Sequence, residues 1–431
     1  MCKRICKLIL FAHVFSLQIG WTQSDSTAVD STNFKIEQLE QSLQELQQIL
    51  NEQQQEDELQ RLMEEAQALK SVDKKEEMGV GKKFHTGVRQ QAGLNPNLSV
   101  SGDFFAGINS SDDDYIRQPS DHSYGTNTFD LRELELSLVA PLDPFTRGKS
   151  FLSVTEEAIS IEEAYLEWLN LPLNMNLKVG LFNAEFGILN RYHDHALPQF
   201  DRPRVLVHYF SLAYLGGFGV AGNFLLPPLF GADASMLDLT LCRGGNGVSF
   251  TNEGKRQLLA AANYTNYYDI TRNTFFEWRW GVVGGYNDEE EENSSLVANL
   301  ALNVKWIPAD RAKYRTIDWK TEFMYGLYEQ PTGTVYSKGV YSSLQNKLNA
   351  RWWVSARVDY AELPYDNQQH EQGISLAADY WQSEFVYIRF QYQYMQRNLN
   401  DIRDYWGPFP DSHGFIVQVN WAMGPHKHEA Y

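Results

Sequence analysis

The densest run of chemically capable side chains lies between residues 185 and 213, which read EFGILNRYHDHALPQFDRPRVLVHYFSLA. It gathers Arg191, His193, Asp194, His195, Asp201, Arg202, Arg204 and His208. Guanidinium groups pair bidentately with oxyanions, so Arg191, Arg202 and Arg204 suit phosphate or organic acids. Asp194 and Asp201 dilute that charge, and neighbouring Arg and Asp residues serve equally well to pin a loop to itself. In His193-Asp194-His195 an extended backbone puts both imidazoles on one side, within reach of a single metal ion. Two ligands do not complete a site; His208 or Asp201 would have to join them, and solvated histidines are the plainer alternative. The pair His426 and His428 near the C-terminus is weaker still.

No Gly-x-Ser-x-Gly elbow, His-Glu-x-x-His pair or phosphate-cradling loop occurs in the chain, so neither an enzyme nor a cofactor is expected. With 55 acidic against 37 basic residues, a net charge of −18, the chain lacks the basic footprint of a nucleic-acid binder. Two of its 3 cysteines, Cys2 and Cys6, fall in an apparent leader, which excludes a disulfide scaffold. No apolar run approaches the ~18–20 residues a membrane helix needs.

The N-terminus reads in three parts. Residues 1–24 have the basic start (Lys3, Arg4, Lys7), apolar middle and polar end of a secretory signal peptide. In 34–70, Ile36, Leu39, Leu43, Leu46 and Leu50 keep a heptad seam that resumes out of phase at Leu59, Leu62, Ala66 and Leu69. A short α-helical coiled coil, and with it self-association, is expected there. Residues 71–95 read as a linker.

From residue 96 to 431 the period changes to two. Leu296, Ala298, Leu300, Leu302, Val304 and Trp306 share one strand face, and Asn299, Asn303 and Lys305 the other. Reading on in this way gives sixteen strands, beginning near 97, 127, 149, 160, 173, 215, 234, 256, 273, 295, 315, 338, 351, 372, 384 and 413. Connections after even-numbered strands are short. Those after odd-numbered strands are mostly long and polar, the longest being 185–213; the tight connection at 157–159 is the exception. Nine tryptophans, among them Trp168, Trp278, Trp306, Trp352 and Trp421, fall near the short-turn ends, while Tyr286, Tyr325, Tyr360, Tyr392 and Tyr394 fall near the other. Short turns at one end, long loops at the other and two aromatic girdles are what a transmembrane β-barrel requires. The fold expected is therefore all-β, a 16-stranded antiparallel barrel behind a short coiled coil. Its inward faces would carry Arg132, Lys178, Arg279, Lys305, Lys320, Arg357 and Arg389 among acids such as Glu133, Glu135 and Asp359, a polar lumen without a continuous basic ladder. The acidic run Asp288–Glu292 reads as a solvated loop tip.

Residues 163–187, EAYLEWLNLPLNMNLKVGLFNAEFG, resemble the strand–turn–strand signature of the phosphate-selective porins O and P, through Glu163-Ala164-Tyr165 and the pattern Gly180, Phe182, Phe186, Gly187. Glu185 stands where those porins usually carry proline. The resemblance implies a trimeric barrel in the bacterial outer membrane, its third outer loop folded into the lumen. The coiled coil would lie in the periplasm, and small hydrophilic solutes, anions mildly preferred, would diffuse through. Basic ladders, and with them strict phosphate specificity, do not carry over. A barrel that binds metal through His193 and His195 without conducting is the competing expectation.

Overall fold

A computed structural model describes residues 97–110, 128–156, 158–211, 214–245, 248–251, 257–308, 311–312, 314–399, 401–402, 405–406 and 411–424. The leader, coiled coil and linker expected from the sequence fall outside the described residues.

Sixteen strands form one closed antiparallel barrel. They are β1 (Asn97–Asn109), β2 (Thr128–Pro141), β3 (Thr146–Val154), β4 (Ile159–Leu171), β5 (Met175–Asn183), β6 (Gly216–Leu226), β7 (Ala234–Arg243), β8 (Leu258–Thr271), β9 (Thr274–Tyr286), β10 (Ser294–Trp306), β11 (Thr316–Gln330), β12 (Gly333–Lys347), β13 (Trp352–Leu363), β14 (Asp366–Trp381), β15 (Val386–Asn398) and β16 (Ser412–Met423). Each pairs with its sequence neighbours, and β1 closes the ring on β16, with Phe104 opposite Val419. Closure leaves no strand edge unpaired, the condition for crossing lipid with strands. No described helix is long and apolar enough to cross a membrane.

Burial runs opposite to that of a water-soluble protein. Phe129, Phe218, Leu241, Trp280, Leu300, Phe323, Val358 and Phe415 are exposed on the outer surface, whereas Asp103, Glu135, Asn299, Glu322, Ser375, Gln391 and Asn420 are buried inside. Alternation with period two puts the polar set inward.

Two expectations about the connections are corrected. The loops expected at 330–337 and 361–371 are tight hairpins instead, since β12 begins at Gly333, paired with Gln330, and β14 at Asp366, paired with Leu363. Polar residues there, such as Thr334, Ser337, Asn367 and Gln369, read as loop composition, yet the strands continue past the apolar band as far as the turn.

Alternation also breaks at irregularities in the wall, two of which bear on the lumen. Opposite β1, Asp103 pairs with Glu133 and Phe104 with Leu131, leaving Arg132 as the extra residue. Opposite β3, Phe151 pairs with Glu163 and Leu152 with Ile161, leaving Glu162 extra. A bulge re-aims its additional side chain. Arg132 and Glu162 thereby turn inward beside Glu133 and Glu163.

Candidate functional site: a lumen crossed by the loop between β5 and β6

The β5–β6 loop, with its short helix α1 (Arg204–Phe210), folds into the barrel. Its apolar side chains need cover, and the wall provides it. Phe186, Ile188, Leu189, Val205, Leu206, Tyr209, Phe210 and Leu215 form one buried cluster with wall residues Cys242, Ala261, Val283, Val297, Ala301, Met324, Tyr341 and Ala361. Helix α1 is too short to persist alone; all seven of its residues are buried. The turn inward requires Gly187, whose φ is +61° and whose Cβ, if present, would collide with the Glu322 carboxylate. Gly339 admits α1, since a Cβ there would sit 2.4 Å from Val205 Cγ2.

Charged anchors then fix the loop to many parts of the wall. Glu371 on β14 accepts hydrogen bonds from Arg204 Nε (2.6 Å), Arg397 Nε (3.0 Å) and His208 Nε2 (2.9 Å). Arg357 spans Asp201 (2.5 Å) and Asp359 (2.6 Å). Arg389 binds Asp379 and donates to the Leu197 carbonyl at 3.1 Å. Arg279 pairs with Glu277 and donates to the Gly187 carbonyl at 2.9 Å. Arg202 is bonded to Asp194 at 2.9 Å and to the Tyr192 carbonyl at 2.6 Å, with its guanidinium 4.0 Å from the Tyr214 ring centre. Arg132 meets Asp194 at 3.1 Å.

On the opposite side of the loop, His193 Nδ1 faces Glu135 (2.6 Å) and Glu162 (2.8 Å), and its Nε2 faces Glu163 (3.3 Å). His195 Nδ1 faces Glu133 at 3.2 Å.

Electrostatics follow from these partners. Burial works against the His193 cation, but hydrogen bonds to Glu135, Glu162 and Glu163 overcome it and hold the imidazole pKa well above its ordinary value. His195 is likewise raised, Glu135 and Glu133 outweighing burial. His208 goes the other way: burial dominates its bond to Glu371, and Arg204 and Arg397 add repulsion, so its pKa is lowered. Burial would raise Asp194, yet Arg202 and Arg132 bring it down to about 2.

Between the loop and the wall of β3–β7 a polar cavity of about 180 Å³ remains. Arg147, Lys149, Lys178 and Arg191 line it together with Glu163, Glu167, Glu185 and Asp238. It runs from Glu185 and Arg191 at the level of the loop toward Arg147, Asn176 and Asn223 near the short turns. Arg147 pairs with Glu167 at 2.7 Å, and Glu185 receives Lys178 (3.5 Å) and Arg191 (3.6 Å). Of the eight loop residues singled out from sequence, only Arg191 lines this cavity. His193, His195, Asp201, Arg202, Arg204 and His208 are buried in the loop's own attachments, and Asp194 bridges two arginines. Of the seven basic residues expected inside the barrel, Arg132, Arg279, Arg357 and Arg389 contact the loop, Lys178 lines the cavity, and Lys305 and Lys320 share Asp318.

Sequence reasoning missed Glu162, Glu163 and Glu371, and the cavity residues Arg147 and Lys149.

No family model matches the chain. An uncharacterized protein of Aquifex aeolicus is 25% identical over 379 residues, 77% of this chain and 79% of that one. Among solved structures, the anion-selective porin from Comamonas acidovorans superposes with a TM-score of 0.54 at 7% identity, covering 76% of this chain and 99% of that one. The outer-membrane protein OmpT of Vibrio cholerae in its trimer form gives 0.50 at 7% identity, covering 76% and 100%. At such identities the likeness is one of fold. The chain is a sixteen-stranded barrel with the architecture seen in outer-membrane porins.

Proposed function

We propose that the protein is a bacterial outer-membrane porin through which small hydrophilic solutes diffuse along the cleft between the inward loop and the β3–β7 wall, with a weak preference for anions. One observation carries the preference. Arg147 is 40% exposed and its partner Glu167 only 7%, while Arg191 is 31% exposed against 21% for Glu185. At these two arginines the cation faces the water more than its partner carboxylate, so a passing anion meets the guanidinium groups first. Equal numbers of acids and bases along the cleft keep the preference small.

The segment 163–187 fits this reading structurally. Gly180 lets β4 and β5 approach where a Cβ would meet the Ala164 carbonyl, Phe182 packs edge-on against Tyr165, and Phe186 meets Phe210 of the loop. The pattern shared with the phosphate-selective porins thus serves to launch the loop. The exported, trimeric state and a periplasmic coiled coil over 34–70 belong to the same proposal.

Planar-bilayer recording of the detergent-purified protein tests it. Current steps in multiples of three, with an anion-selective reversal potential under a salt gradient, are expected. A cation-selective potential refutes the anion preference, and a folded barrel that never conducts refutes the porin.

A further inference from the structure

We propose that the cluster joining the β5–β6 loop to β2 and β4 binds one divalent transition-metal ion, with His193, Glu135 and Glu162 as ligands. The inference is independent of conduction. The three ligand atoms lie within 4.8 Å of one another. Nδ1 of His193 has a Glu135 oxygen at 2.6 Å and a Glu162 oxygen at 2.8 Å, two carboxylates converging on one ring position that carries at most one proton. The Glu162 oxygen is buried there and, apart from the ring position it shares with Glu135, has no hydrogen-bond partner among the described residues.

Two further features belong to a metal centre rather than to a simple ion pair. The other ring nitrogen of His193 faces Glu163 at 3.3 Å, the arrangement that orients ligating imidazoles and raises their basicity. The group is also rich in carboxyls. Among the described residues Glu133, Glu135, Glu162 and Glu163 all face the two imidazoles. Arg132 is ion-paired with Asp103 (3.5 Å) and Asp194 (3.1 Å), and its charge also reaches Glu133. Lys149 acts on the far side of the group, through Glu163. A doubly charged ion would sit among these carboxyls at the point where the donor atoms converge.

The donor set selects the class of ion. One imidazole nitrogen with carboxylate oxygens suits Zn²⁺ or Mn²⁺, whereas Ca²⁺ seeks about 6–8 oxygens. Ligand bonds of about 2.0–2.2 Å require the nitrogen and oxygens to separate by roughly half an ångström, a side-chain adjustment. Glu162 reaches the site only because the β4 bulge turns it inward. The ion would staple the loop to the low wall formed by the short hairpin between β3 and β4.

Zinc titration by calorimetry, on full-length refolded protein stripped with chelator, tests the site against Glu162→Gln. Folding of each sample is checked by its heat-modifiable gel shift. One saturable Zn²⁺ per chain is expected, weakened at least tenfold in E162Q and lost in His193→Asn, with X-ray absorption showing mixed nitrogen and oxygen ligation. Because His193 Nδ1 keeps Glu135 as its partner when Glu162 is changed, E162Q remains informative if H193N fails to fold. Weak uptake at His426 and His428 would persist unchanged in E162Q and is thereby separated. Absence of a saturable site in folded wild type, an unchanged affinity in E162Q, or equal affinity for Ca²⁺ overturns the assignment.

Discussion

Replacing Glu371 by Gln should release helix α1 from the wall. The Glu371 carboxylate is fully buried and is the shared acceptor for Arg204, Arg397 and His208. Removing its charge takes from Arg204, Arg397 and His208 the buried acceptor they share, and breaking a buried pair from one side costs about 3–5 kcal/mol. Glutamine keeps the shape and one acceptor, so the lower end applies. About 3 kcal/mol corresponds to a roughly 100- to 200-fold larger population of the released loop. Cys242 reports that population without an added label. Its thiol is 1% exposed and belongs to the cluster that the loop residues Phe186, Leu215 and Phe210 complete. When opening is fast relative to modification, the maleimide reaction rate tracks the open fraction. E371Q should therefore label about two orders of magnitude faster than wild type while remaining a heat-modifiable barrel. Labelling at the wild-type rate in a folded E371Q protein would show that these charges do not hold the loop.

Other perturbations bear on the same architecture. Gly339→Val should cost about 1–3 kcal/mol through overpacking against Val205 and lower the unfolding midpoint, whereas Gly284→Ala, with no neighbour closer than 3.6 Å, should be nearly silent. Because the His208 pKa is lowered in the folded state, the unfolded chain binds the extra proton, and stability falls as pH drops below the ordinary imidazole value. Relative to His208→Gln, wild type should lose up to about 1.4 kcal/mol per pH unit in urea titrations between about pH 6.5 and its depressed pKa; parallel curves would refute this. Arg191→Gln and Lys178→Gln should each move the reversal potential toward cations and Glu167→Gln toward anions, and shifts of the opposite sign would place the permeation path elsewhere.

The barrel was largely legible because its signal is periodic and repeated. Strands such as Ser294–Trp306 alternate without interruption, and fourteen of the sixteen starts fall within three residues of those expected. The exceptions are β12 and β14, whose ends leave the apolar band and so lose the hydrophobic half of the pattern. The site was less legible, for two physical reasons. A bulge shifts every later side chain to the other face, and nothing short of pairing partners reveals that Arg132 and Glu162 are the extra residues. The loop's place in the lumen was expected, but its attachments depend on residues far away in sequence: Arg204 meets Glu371, and Asp201 meets Arg357. One sign was available and unread. The inward positions Ala261, Gly281, Val283, Val297, Ala301, Gly326 and Gly339 are small or apolar where a water-filled channel would place polar groups. They mark the part of the wall that an apolar loop covers.

The proposed path for solutes runs between the loop and the β3–β7 wall, and covalent block of that cleft tests it most directly. In a Cys242→Ser background, Asn223→Cys places a thiol on the cavity lining. A bulky methanethiosulfonate reagent applied during bilayer recording should reduce conductance in discrete steps, reversibly on reduction. Complete modification of that cysteine, established by mass, with conductance unchanged would contradict the account.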